Sequence, residues 1–205
     1  MHTVALRSMP RTIGLGSTQL LMVVLLGLAS KLGEGAITIL QFSYNLQSVP
    51  LALVGASYSV AVFPTLAKLW GTPEFRIHAQ HTIKIVLALS IPIATLMFFS
   101  ADWIVHLLLA IGKFSPVDAA VTAQGLRIFI FSLPFQAITL LLLRAFYAAE
   151  RATVAVSVSV LGACVAILCA YVFASLWPTI LVLPAAYSVG MILTGTALLI
   201  LFLRS

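Results

Sequence analysis

Apolar residues fill this chain in six long blocks, parted by short polar connections. The blocks cover about residues 12–30, 35–66, 82–100, 117–149, 153–175 and 179–203. A bilayer crossing takes roughly 20 apolar residues, so each block is long enough to span. The runs are continuous, whereas the strands of a membrane barrel alternate over segments of about ten residues; helices are therefore predicted. The second block is too long for one straight crossing and carries Pro50 near its middle, and the fourth is interrupted by Pro134. Both prolines are expected to act as hinges. A short amphipathic stretch, residues 102–111, follows the third block and is expected to lie along the interface. The predicted fold class is an all-α integral membrane bundle of about six transmembrane helices, a single membrane domain over residues 1–205.

Composition agrees with the pattern. Only 8% of residues are charged and 62% are hydrophobic, with a mean hydropathy of +1.16, whereas soluble domains carry about 25% charged residues. The net charge of +6 does not imply nucleic acid as a partner, because the cations are scattered singly and form no aromatic-interleaved stripe. They flank spans instead. With the N-terminus in the cytoplasm, Arg7, Arg11, Lys68, Arg76, Lys84, Arg144, Arg151 and Arg204 fall on one side and only Lys31 and Lys113 on the other. That bias predicts cytoplasmic termini. Met1 to Arg11 is polar and leads directly into a long span, so no secretory signal peptide is expected.

Candidate chemistry is sparse. No triad or metal-ligand spacing stands out, so neither an enzyme nor a cofactor is expected. Cys164 and Cys169 would point about 140° apart on one helix, and read as small buried hydrophobes. His78 and His81 fall in the polar connection before the third block and read as a solvated loop, while Asp102 and His106, spaced i, i+4, suit an interfacial pair. Gly162, Ala166 and Ala170, and likewise Ala186, Gly190 and Thr194, recur every four residues as packing rows. The second block is the informative one. Gln41, Tyr44, Asn45 and Ser48 share a narrow helical face, and Asn45 lies roughly 15 Å along the helix from Gly35, near mid-bilayer. Two readings stay open: a packing seam of interhelical hydrogen bonds, or a water-accessible transport cavity. Arg127, roughly 13 Å into the fourth block, either snorkels to the outer interface or faces the cavity and attracts anions.

The stretch Gly112-Lys113-Phe114-Ser115-Pro116-Val117-Asp118-Ala119 resembles the G-[KR]-F-[ST]-x-x-D-A loop of the MurJ/MviN lipid II flippases. Leu143-Arg144-Ala145-Phe146-Tyr147-Ala148 downstream is similar to that family's next helix exit. Leu28-Ala29-Ser30, Val49-Pro50-Leu51 through Gly55, and Phe63-Pro64-Thr65-Leu66 follow in the same order, so the resemblance covers nearly the whole chain. It implies the second lobe, helices seven to twelve, of a two-lobed flippase in the bacterial inner membrane. The cargo it implies is an undecaprenyl-pyrophosphate-linked peptidoglycan precursor, moved by alternating access. It also implies a second six-helix lobe, or another copy of the chain, as partner, besides membrane lipids. Where the family's second lobe carries an arginine five residues before the helix-eight proline, this chain has Asn45, and Leu25 stands at a further, usually polar position. The alternatives are an exporter of another lipid-linked glycan or of a drug, or a non-transporting membrane scaffold. A cation-coupled antiporter would be expected to embed an acidic residue deep in a span, and none is so placed.

Overall fold

In the computed structural model, residues 2–69, 71–109, 114–149 and 151–204 are described, their side chains from residue 16 onward. All the regular structure among them is helical. The elements are α1 (His2–Ala29), α2 (Ala36–Pro50), a π-helical segment (Leu51–Ala56), α3 (Ser57–Leu69), α4 (Pro73–Leu109), α5 (Pro116–Phe131), α6 (Leu133–Ala148), α7 (Ala152–Leu176) and α8 (Val182–Arg204). Among the described residues, four continuous helical stretches are long and apolar enough to cross a membrane: Ala36–Leu69, Pro73–Leu109, Ala152–Leu176 and Val182–Arg204. The pair α5 and α6, bent by 45°, passes the same test when the two are taken together as one broken span, and Gly16–Ala29 of α1 is a shorter apolar helix. Large apolar side chains such as Leu20, Leu53, Leu96, Phe99 and Leu168 stand exposed around the bundle. In water they would be a liability; facing lipid they are the expected outer surface.

Local sequence explains the irregular points. Pro50 has no N–H to give the preceding turn, and the turn after it widens into the π segment, where the Ser57 N–H reaches back five residues to the Ala52 carbonyl. Gly55 lets this widened segment lie against α6, since a Cβ there would come within 3.2 Å of the Ala137 Cα and 3.1 Å of a Leu140 methyl. Arg144 of α6 donates from Nη1 to the Ala56 carbonyl at 3.4 Å. The α5–α6 bend falls at Ser132, with Pro134 in the first turn of α6. Its polar groups are met from within: Ser132 Oγ donates to the Phe129 carbonyl at 2.7 Å, Gln136 Nε2 to Ser132 Oγ at 2.8 Å, and Ser188 Oγ of α8 to the Ile128 carbonyl at 2.9 Å.

The tightest seam joins α7 to α8. A Cβ on Gly162 would lie 1.8 Å from Thr194 Oγ1, and one on Gly190 would lie 2.6 Å from the Ala166 Cβ and 2.7 Å from the Gly162 carbonyl oxygen. The two small-residue rows therefore form one contact in which backbone meets backbone, as close helix approach in lipid requires.

Three expectations are corrected. The stretch 102–111 is not a separate interfacial piece: as far as Leu109 it continues α4, and residues 110 and 111 lie outside the described residues. His78 and His81 likewise sit on α4 rather than in a loop. The reason is that hydropathy marks where a helix leaves the bilayer, whereas the helix runs on through polar sequence that still forms helix well. The 37 residues of α4 measure roughly 55 Å, against a hydrocarbon core of about 30 Å. Third, Cys164 is exposed and Cys169 only half-buried, because it is Gly162, Ala163, Ala166 and Ala170 that turn inward.

Candidate functional site

The polar residues of α2 divide between two faces. Gln41 and Asn45 stand exposed on the outside of the bundle, and Ser48, partly exposed beside them, donates from Oγ to the Asn45 carbonyl at 2.7 Å. Offsets of four and three place these three in one stripe along the helix. Tyr44 leaves that stripe. Its ring packs edge-on against Phe129 and Tyr187, with centroids 5.8 and 5.7 Å away.

Two further polar residues occupy the inward face, and periodicity alone did not single them out. Ser43 Oγ is within hydrogen-bonding distance of its own Ile39 carbonyl, at 2.8 Å, and of the Thr122 carbonyl of α5, at 2.9 Å. It ties α2 to α5 beside Gly125, where a Cβ would meet Ser43 Oγ at 2.7 Å. Gln47, one turn on, is fully buried, and among the described residues neither its Nε2 nor its Oε1 has a hydrogen-bond partner. The signal that finds both is spacing: Leu40, Ser43 and Gln47 lie three and four apart on the core-facing side.

Next to Tyr44 lies a cavity of about 260 Å³ lined by Thr18 and Gln19 of α1, Gln136 and Thr139 of α6, and Tyr187 and Thr194 of α8, among others. The Tyr187 hydroxyl donates to Gln136 Oε1 at 3.2 Å. The lining offers hydroxyls and amides and no charged side chain. Among the described residues, no group of three or more His, Cys, Asp or Glu side chains is placed to hold a metal ion.

Arg127 is not brought to the α2 stripe. Its guanidinium faces α4, where Nε donates to the Phe98 carbonyl at 3.2 Å, Nη2 pairs with Asp102 Oδ2, and Cζ sits 5.9 Å from the Phe98 ring centroid. Asp102 thus pairs with Arg127 across the α4–α5 seam. Of the loop motif, Gly112 and Lys113 lie outside the described residues. The rest builds the start of α5: Ser115 Oγ accepts the Asp118 N–H at 3.1 Å, Asp118 Oδ2 accepts the Ser115 N–H at 3.3 Å, and Pro116 opens the helix. This is a capping box with proline in the first turn. Phe114 packs edge-on against Phe42 of α2, with centroids 5.8 Å apart.

Known proteins share this fold. The family described as "Lipid II flippase MurJ" matches residues 2–205. A probable lipid II flippase MurJ of Bdellovibrio bacteriovorus is 30% identical over 149 residues, 71% of this chain and 28% of that protein. The lipid II flippase MurJ of Burkholderia cenocepacia is 25% identical over 173 residues, 83% of this chain and 34% of that one. The chain thus spans about a third of the length of these relatives. Among solved structures, a lipid II flippase MurJ in an inward closed conformation superimposes with a TM-score of 0.84 at 21% identity, covering 96% of this chain and 41% of the other. An outward-facing multidrug resistance MATE family transporter of the MOP superfamily superimposes at 0.83 and 18% identity, covering 94% and 43%. With helices that can span a membrane and a family match along almost its entire length, the chain belongs to the lipid II flippase MurJ family of multi-pass bacterial membrane proteins.

Proposed function

We propose that this chain is the second lobe of a lipid-linked precursor flippase and works as a transporter, not a catalyst. The observation that carries the reading is the outward stripe of Gln41, Asn45 and Ser48 on α2. At mid-bilayer depth, polar side chains need water or polar partners, since each unsatisfied group in hydrocarbon costs several kcal/mol. A facing lobe, from a separate chain or another copy, supplies both by enclosing a hydrated cleft. In that assembly the stripe lines the path of an undecaprenyl-pyrophosphate-type precursor. Cations facing the pyrophosphate then come from the opposite lobe, because Asn45 brings no charge and Arg127 is committed to Asp102. Pro50 with its π segment, and Pro134 at the 45° bend, are the hinges about which the lobe changes shape during alternating access. Both termini of the chain, with the eight-cation side, face the cytoplasm.

The test is thiol labelling in cells, in a background without Cys164 and Cys169, with and without a first lobe co-expressed. Cysteines at Gln41, Asn45 and Ser48 react with a small water-soluble maleimide when the lobes are paired, and those at Leu40 and Leu46 do not. Complementation of a flippase-depleted strain follows the same dependence on the first lobe. Equal protection at all five positions, or rescue by this chain as a monomer, overturns the reading.

A further inference from the structure

A roomy cleft lies away from the α2 stripe, where α4 begins and α6 and α8 end. It measures about 400 Å³. Phe75 of α4, Phe146 of α6 and Phe202 of α8 give it an apolar floor, with Ala145 and Ala149 beside them. The rings of Phe75 and Phe146 each pack on Phe202, with centroids 6.2 and 6.5 Å apart, so the floor is one aromatic surface drawn from three helices. Arg76 and Arg151 stand on its rim, both exposed. Arg76 is held there by a hydrogen bond from Nη2 to the Leu203 carbonyl in the last turn of α8.

A cleft with this anatomy matches one kind of ligand. Its floor is too apolar for a free anion, and its rim too cationic for a neutral lipid. Guanidinium groups suit phosphate oxygens because they offer several donors in a planar fork. The place matches as well: α4 begins at Pro73, α6 ends at Ala148 and α8 at Arg204, so the cleft opens where the spans of α6 and α8 end. Lys68 in the last turn of α3 and Arg204 in the last turn of α8 stand near the two rim arginines, against Glu74 in the first turn of α4. Juxtamembrane cations attract anionic lipid, and basic pockets between spans select its headgroup. We infer that this cleft binds one anionic glycerophospholipid, its phosphate held between Arg76 and Arg151 and an acyl chain laid over Phe75, Phe146 and Phe202.

The inference stands apart from the transport reading, because the cleft shares no lining residue with the α2 stripe or the cavity at Tyr44. Native mass spectrometry of the full chain, released from detergent, tests it with four probes: phosphatidylglycerol, phosphatidylcholine, glycerol phosphate and a prenyl diphosphate. Phosphatidylglycerol is retained as a single adduct, and the other three are not retained at the same concentration. Arg151→Gln weakens that adduct about tenfold and Arg151→Lys restores most of it, while Lys31→Gln at the opposite end changes nothing. Arg76→Gln weakens it too, but also removes the bond to Leu203, so Arg151 decides the matter. Undiminished retention in Arg151→Gln overturns the inference. So does equal retention of phosphatidylcholine, which would make the cleft a greasy groove. Equal retention of glycerol phosphate would make it a soluble-anion site, and tighter retention of the prenyl diphosphate would assign it to the cargo.

Discussion

The α7–α8 seam and the α2–α5 seam solve the same problem in opposite ways. At α7–α8, glycine and alanine bring two backbones together, and the hydroxyl at the contact is satisfied within its own helix, Thr194 Oγ1 donating to the Gly190 carbonyl at 2.8 Å. Among the described residues, no buried side-chain nitrogen or oxygen there lacks a partner. At α2–α5 a single side-chain hydrogen bond, from Ser43 to the Thr122 carbonyl, crosses the seam, and one turn away Gln47 is buried with an amide that bonds nothing among the described residues. Between lipid-facing helices there is little hydrophobic drive to associate, so contact area and polar satisfaction decide how firmly a pair is held. By that measure α7 and α8 form a fixed unit. The α2 helix is the less firmly held element, and it is the one that carries the outward polar stripe and runs into a π segment, a feature frequent at functional sites.

The largest effect is expected where the fixed seam is broken. Gly190→Val puts branched carbon where even a Cβ would meet the Ala166 Cβ at 2.6 Å and the Gly162 carbonyl oxygen at 2.7 Å. Backbone cannot yield there as a flexible side chain would, so helices α7 and α8 must separate. The loss should exceed about 3 kcal/mol, beyond the usual cost of overpacking. It should appear as loss of the folded chain in detergent, by thermal unfolding or size-exclusion chromatography. A variant with wild-type stability would mean that the two seams do not differ in the way described.

At α2 the opposite sign is expected. Gln47→Leu replaces an unpaired buried amide by an apolar side chain of similar size, and should stabilise the lobe by about 1–2 kcal/mol, the penalty that an unsatisfied polar group carries in proteins. Asn45→Leu, two residues away on the outward face, should leave the stability of the isolated lobe within about 0.5 kcal/mol, as surface changes do, while removing the polar centre of the stripe. Thermal unfolding of both variants in the same detergent makes the comparison. A loss of stability at position 47 would show that the amide has a partner that matters.

These two seams also show what was legible in the sequence. The spans follow from long apolar blocks, and the α7–α8 contact from small residues four apart, because both are repeating patterns imposed by the bilayer and by close packing. The length of α4 was hidden, since hydropathy falls at the membrane surface while helical hydrogen bonding continues, and so His78 and His81 read as loop. On α2, period alone grouped Gln41, Tyr44, Asn45 and Ser48, but it cannot say which edge of a polar face turns inward. That depends on where α5 and α8 lie, and it sent Tyr44 to Phe129 and Tyr187 and left Ser43 and Gln47 unremarked. The loop motif marked its place well without revealing its role. Ser115, Pro116 and Asp118 start a helix.

The smallest expected effect concerns the ion pair beside that same helix. Arg127 read from sequence as a cation either reaching outward or facing a cavity, and it is held by Asp102 and the Phe98 carbonyl. The pair is not deeply buried: the side chains of Arg127 and Asp102 are 27% and 58% exposed. Water or headgroups therefore screen it, and pairs of this kind contribute between nothing and about 1 kcal/mol. A double-mutant cycle with Arg127→Leu and Asp102→Asn should return a coupling below about 1 kcal/mol in the isolated chain. The cation–π contact with Phe98 and the bond to its carbonyl belong to Arg127 alone, so Arg127→Leu should cost more than Asp102→Asn. Repeating the cycle in the paired assembly sharpens the comparison between seams. A coupling that stays small places the pair at the outer, lipid-facing rim, whereas a rise to about 3 kcal/mol, the scale of a desolvated pair, would mean that the second lobe closes over Arg127 as well as over α2.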